Sequence, residues 1–151
     1  MLHHLSPERR DELETASPER MIVLFYDQVI DCLHTAISAI ARNDIQGRCD
    51  ATTATIELLA GMLESFGDAS DDKILANLRK IHTFIIKRMP RVNVSNDARF
   101  LADAIRLVKP IRDSWGAVEK YASTGQDGQM AAPIAEKIAA RPRLTVVAPS
   151  A

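Results

Sequence analysis

The sequence predicts an all-α protein: an antiparallel four-helix bundle with an N-terminal cap segment and a flexible C-terminal tail. Three observations carry this. Apolar residues recur at spacings of three and four through four long runs. Glycine, proline and Asn/Asp clusters separate those runs by short links only. Period-two alternation is absent apart from the short stretch 144–147. Long helices joined by short links pack as antiparallel neighbours. The 151 residues accordingly divide into a cap segment over 1–16, the bundle over 17–121 and the tail over 122–151.

The first run opens at Ser17, a natural N-cap, with Pro18 at the first helical position, where its missing N–H removes no bond. Ile22, Phe25, Tyr26, Val29, Leu33, Ala36, Ile37 and Ile40 then follow at helical spacing, and Asn43-Asp44 ends the run. The second run places Cys49, Thr52, Ile56, Leu59, Ala60, Leu63 and Phe66 on one face before Gly67-Asp68-Ala69-Ser70 breaks it. In the third, Ile74, Leu78, Ile81 and Ile85 form the inward line, and Pro90 is expected to end or kink the helix. The segment 93–97, with Asn93, Asn96 and Asp97, reads as a turn with cap residues. The fourth run carries Leu101, Ala104, Ile105, Val108, Ile111 and the core anchor Trp115, with a kink expected at Pro110. The tail is rich in Ala, Gly, Gln, Pro and Ser, with one short helix expected near 134–140.

Composition narrows the function classes. Hydrophobic residues make up 46% and charged residues 26%, so the chain is globular, and a net charge of -1 gives no general drive toward nucleic acid or membrane. The start has no basic region followed by an apolar one, and no stretch approaches the ~18 apolar residues of a membrane span, so a cytoplasmic location is expected. Cys32 and Cys49 are too few for a disulfide scaffold and lack zinc-site spacing. A di-metal bundle needs two Glu-x-x-His pairs aimed inward, whereas this chain has only Asp31-x-x-His34 on the face opposite the apolar stripe. No phosphate loop or nucleophile elbow is present. Neither a metal, a cofactor nor an enzyme activity is expected. The bases Arg79, Lys80, Lys87, Arg88 and Arg91 could follow a phosphate backbone. They also suit a solvated face beside the acidic second run (Asp50, Glu57, Glu64), which sets register.

Apolar width exceeds what one bundle face needs, a stripe of about 100°. Leu75, His82, Ile86 and Met89 form a second line on the third run, and Ala51, Thr55, Leu58 and Met62 do so on the second. Several over-wide helices suit a hydrophobic groove for another amphipathic helix, and methionines suit an adaptable one. Leu58, Met62, Leu75, His82, Ile86 and Met89 are therefore the expected partner contacts. Ile86→Asp or Met62→Asp is expected to abolish binding with little loss of stability.

Thr15-Ala16-Ser17-Pro18-Glu19-Arg20-Met21-Ile22 followed by Leu24-Phe25-Tyr26-Asp27 resembles the opening signature of the flagellar secretion chaperone FliS family. Leu78, Ile81, Lys87-Arg88-Met89, Asn93, Asn96-Asp97, Leu101, Leu107, Ile111-Arg112 and Trp115 are similar to its second block, and the likeness covers about residues 15 to 118. The resemblance implies a four-helix bundle, without nucleotide or metal, that binds the disordered C-terminal segment of flagellin. Binding would prevent premature polymerisation and keep the subunit competent for flagellar type III export. The export apparatus or a secondary regulatory client could be further partners. It also implies an N-terminal segment lying over the bundle, and structural roles at turns and helix ends for Asp27, Asn93, Asn96 and Asp97. The chain differs from the family pattern in lacking a tyrosine before Tyr26, in having His82 at a position often aromatic, and in Pro90 and Pro110. The other reading is a helical adaptor or regulator that uses the same groove for a different partner.

Overall fold

The computed structural model describes residues 7–67 and 72–124. They form five helices: α1 (Pro7–Thr15), α2 (Pro18–Ala41), α3 (Ile45–Phe66), α4 (Lys73–Ser95) and α5 (Ala98–Ser123). The expected short helix near 134–140 lies outside the described residues. Each link is made by capping chemistry. Ser17 accepts a hydrogen bond from the Arg20 N–H at 3.2 Å, and Pro18 stands at the first turn of α2, as the sequence predicts. Asn43 takes a left-handed φ of 56° after α2. The Asp44 carboxylate then caps α3 by accepting from Gly47 N–H at 2.8 Å. That cap fills the space beside Gly47, where a Cβ would collide with the Asp44 carboxylate.

The α4–α5 link is tighter than the sequence suggests. Pro90 does not end α4, which runs on to Ser95, so Asn93 sits in its last turns rather than in a loop. Pro110 likewise lies inside a continuous α5. Both prolines are exposed, so the carbonyl each leaves without an N–H partner is on the solvent side, where water can satisfy it. The turn itself is only Asn96, in the left-handed region at φ 54°, and Asp97. Asp97 caps α5 by accepting from Arg99 and Phe100 N–H at 3.1 and 3.2 Å. Asp97→Ala is expected to lower stability by about 1 kcal/mol; a urea midpoint unchanged from wild type would show that the cap carries nothing.

Helices α2 to α5 form the antiparallel bundle. α2 packs closely on both α3 and α5, α3 packs on α4, and α4 and α5 are the least intimate neighbours. Two ion pairs set the α2–α5 register, Arg112 with Asp27 at 2.7 Å and Arg20 with Glu119 at 3.6 Å. Asp27 thus lies mid-helix and bridges two helices, a correction to its expected place at a turn or helix end. Its hydrogen bond is the main reason the Arg112 pKa is pushed above its ordinary value. Between α3 and α4, hydrogen bonds fix the register. The Thr52 hydroxyl lies 3.0 Å from the Cys49 carbonyl and 3.1 Å from Asn93 Oδ1, Arg48 donates to Asn96, and Arg79 donates to the Gly67 carbonyl.

The core lies where the four helices meet and includes Leu33, Leu59, Phe66, Ile85, Leu101, Val108 and Trp115. One polar contact crosses it diagonally: Tyr26 Oη on α2 is 3.0 Å from Nε2 of His82 on α4, and both residues are buried. Phe66 packs against the same imidazole with centroids 5.4 Å apart. Among the described residues α2 is the one helix long and apolar enough to cross a bilayer, and half of that stretch is buried in the bundle.

Candidate functional site

The sequence places the partner groove on a line that the structure turns inward. Met62, Leu75, His82 and Met89 are each no more than 1% exposed and belong to the core, so they offer no surface to a partner. Leu58 and Ile86 are half-buried, packed against the core from its rim. The reason is visible on α4. It carries two adjacent apolar lines, and the one containing His82 is the line whose polar atom finds a partner across the bundle, in Tyr26. A buried imidazole without that hydrogen bond would be costly, so the pairing is what lets His82 lie inside.

The other line is divided: Leu78 and Ile85 are buried with the first, and the rest meets water at the edge of the helix. Ile74 is 52% exposed, Phe84 is 41% exposed and Ile81 is half-buried. Helical spacing puts all three on the flank toward α5. The facing flank of α5 carries Phe100, Leu107 (38% exposed) and the half-buried Ile111 and Val118. The two flanks meet near the α4–α5 turn, where the Phe84 and Phe100 rings make an edge contact with centroids 6.2 Å apart. α4 and α5 are the least closely packed neighbours in the bundle, and the partly exposed apolar flanks along the seam between them make it the candidate groove. Bases surround it on α4: Lys80, Lys87, Arg88 and Arg91 are all exposed. Ile74, Ile81 and Ile111 appear in the sequence as interior positions. What distinguishes them there is the bases beside the α4 line and the lack of any acid from Lys73 to Ser95.

The second surface feature is α1, the described part of the expected cap segment. It is strongly polar, and among its described side chains Arg9 and Glu12 tie it to α2 through charge. Arg9 reaches Asp31 at 2.7 Å and Gln28 at 3.1 Å, while Glu12 accepts from Arg20 Nε at 2.9 Å. Leu24 lies between these anchors and is buried although helical spacing puts it on the outer side of α2. Beside Arg9, a recess of about 380 Å³ opens between α1, α2 and α3, lined by Gln28, Asp31, Cys32, Thr35, Ala51 and Ala54. Burial pushes the Cys32 thiol pKa up, so this cysteine is a poor nucleophile. Asp31 and His34 are both exposed, and among the described residues no three His, Cys, Asp or Glu side chains are grouped to hold a metal ion.

Burial also sets the chemistry of the central pair. It pushes the His82 pKa down to about 4 and the Tyr26 hydroxyl up, so both are neutral near pH 7. Tyr26 Oη can then donate to Nε2. His82 Nδ1 has no hydrogen-bond partner, although the Leu59 backbone works in the opposite direction to burial by favouring its proton. The pair is closed to solvent and serves packing rather than catalysis.

A resemblance to known proteins accompanies this architecture. Residues 1–122 match the family described as "Flagellar protein FliS". The chain is 24% identical over 102 residues to the flagellar secretion chaperone FliS of Escherichia coli strain K12, covering 67% of this chain and 75% of that one. It is 23% identical over 110 residues to the protein of the same name from Salmonella typhimurium, covering 72% and 82%. Over 107 residues it is 22% identical to the flagellar secretion chaperone FliSB of Pseudomonas aeruginosa, covering 71% and 85%. The matched region takes in α1 to α4, α5 up to residue 122, the capped turns and the Tyr26-Asp27 and Asn93 to Asp97 contacts, and the chain belongs to the FliS family.

Proposed function

We propose that this protein is a cytoplasmic flagellar secretion chaperone that holds the disordered, amphipathic C-terminal segment of flagellin until export. The observation that carries the reading is the partly exposed apolar seam between α4 and α5. Three large side chains, Ile74, Phe84 and Leu107, stand more than a third exposed along it. A helix-in-groove partner buries such a line, and apolar burial drives a disordered segment to fold as it binds. The likeness to proteins named flagellar secretion chaperones supports this class of client. A polar α1 held on α2 by ion pairs suits a cover that moves aside when a longer segment wraps the bundle, because exposed pairs contribute only about 0.2–1 kcal/mol each.

Titration calorimetry with a peptide of about 40 residues from the C-terminus of the same organism's flagellin tests the reading. Tight one-to-one binding with a negative heat-capacity change is expected. Ile74→Asp and Leu107→Asp should each weaken it at least tenfold while changing the melting temperature little, because both side chains already meet water. Unchanged affinity in both variants would move the site elsewhere. Lack of binding by the wild type would overturn the flagellin reading and favour an adaptor with another client.

A further inference from the structure

Within the α4–α5 groove one cation is held in an unusual place. The Arg88 guanidinium carbon lies 5.3 Å from the Phe84 ring centroid and 5.2 Å from that of Phe100. The first ring is one turn back on α4 and the second is on α5, so Arg88 spans the groove near its closed end. Cation–π contact with two rings fixes a side chain that would otherwise be mobile. Arg88 is nonetheless exposed, and among the described residues no carboxylate pairs with it. Asp103, an acid on the adjoining stretch of α5, is instead paired with Arg106 at 3.1 Å. α4 supplies six bases and no acid, so nothing on this helix neutralises the charge.

From this arrangement we infer that Arg88 is a specificity-determining contact for a carboxylate side chain of the bound segment, an Asp or Glu flanking the apolar line of the partner helix. The inference rests on the chaperone reading and narrows it to an acidic amphipathic client helix. A guanidinium seated over the rings still carries its fork of N–H donors, which can take a carboxylate bidentately, and a lysine cannot reproduce this. Because the rings already order Arg88, little side-chain freedom is lost when the carboxylate arrives. The apolar groove floor lowers the local dielectric once the partner covers it, which strengthens the pair. A phosphate backbone fits less well, since a single guanidinium sits over an apolar floor whose two rings are occupied by each other and by Arg88.

The test is a double-mutant cycle on the full chain. Wild type, Arg88→Gln and Arg88→Lys are titrated with the flagellin C-terminal peptide, with versions in which each Asp or Glu is changed to its amide, and with a C-terminally amidated version. Arg88→Gln should weaken the unmodified peptide about tenfold, equivalent to about 1.4 kcal/mol. Arg88→Lys should recover only part of that. One acid-to-amide peptide should lose the same factor against wild type and nothing further against Arg88→Gln. Circular dichroism should show both variants as helical as the wild type. Equal losses by Arg88→Gln for every peptide overturn the inference and leave the chaperone reading standing, as does undiminished affinity. A loss that follows C-terminal amidation assigns Arg88 to the chain terminus and overturns the side-chain version. If the wild type does not bind the peptide, both readings fall together.

Discussion

Met62→Asp is expected to unfold the bundle. Met62 is about 1% exposed and packs in the core of α3. The substitution removes a buried thioether, which by itself costs about 2–5 kcal/mol, and leaves an uncompensated carboxylate in its place. Together these approach the whole stability of a domain this size, about 5–15 kcal/mol. Loss of the cooperative thermal transition by circular dichroism is the predicted result. This reverses the expectation read from the sequence, in which Met62 belonged to a surface groove and the same change left the fold intact. Ile86→Asp is the internal comparison. Ile86 is half-buried at the core rim, so its variant should keep a cooperative transition at reduced temperature. A Met62→Asp protein that melts within a few degrees of wild type would put Met62 back on the surface.

The second large effect is acid lability at His82. In the unfolded chain its pKa is that of a free imidazole, 6.5, and in the folded chain burial holds it near 4. The unfolded state therefore binds more protons between those values, and stability rises with pH through that window. The contribution is complete above about pH 6.5 and is lost as pH falls from there toward 4. The gap corresponds to about 3 kcal/mol. Tyr26 cannot compensate, because burial keeps its hydroxyl protonated throughout, and Phe66, the other ring against the imidazole, is neutral. Urea unfolding at pH 7.5 and pH 4.5 should show the drop, and His82→Gln should flatten the dependence while lowering stability at neutral pH. Equal slopes in wild type and variant would show that carboxylates elsewhere, not His82, govern acid unfolding.

Local structure was largely legible. Ser17-Pro18 predicted the start of α2, and the apolar spacings predicted each bundle helix, because capping and amphipathicity are properties of a few neighbouring residues. The errors share one cause. Pro90 was expected to end or kink the third run, yet it is exposed, and packing of Met89 and Val92 against the core carries α4 past it. Asp27 was read as a turn residue by its place in a family signature, when its partner Arg112 is 85 residues away. Neither outcome could be computed from a window of sequence.

The site shows the same division more sharply. By itself the sequence determined four amphipathic helices, the Ser17 cap and the capped turn at Asn96-Asp97, the basic stretch of α4 and a surplus of apolar surface. Only the tertiary structure decided that the buried face of α4 takes Leu78 and Ile85 from one apolar line and Leu75, His82 and Met89 from the other. Periodicity reports that a helix has an apolar face, but two adjacent lines satisfy it equally well. The rotation of the helix is decided across the bundle, where Tyr26 gives His82 the hydrogen bond that its burial requires, and it leaves Ile74, Ile81 and Phe84 along the seam with α5.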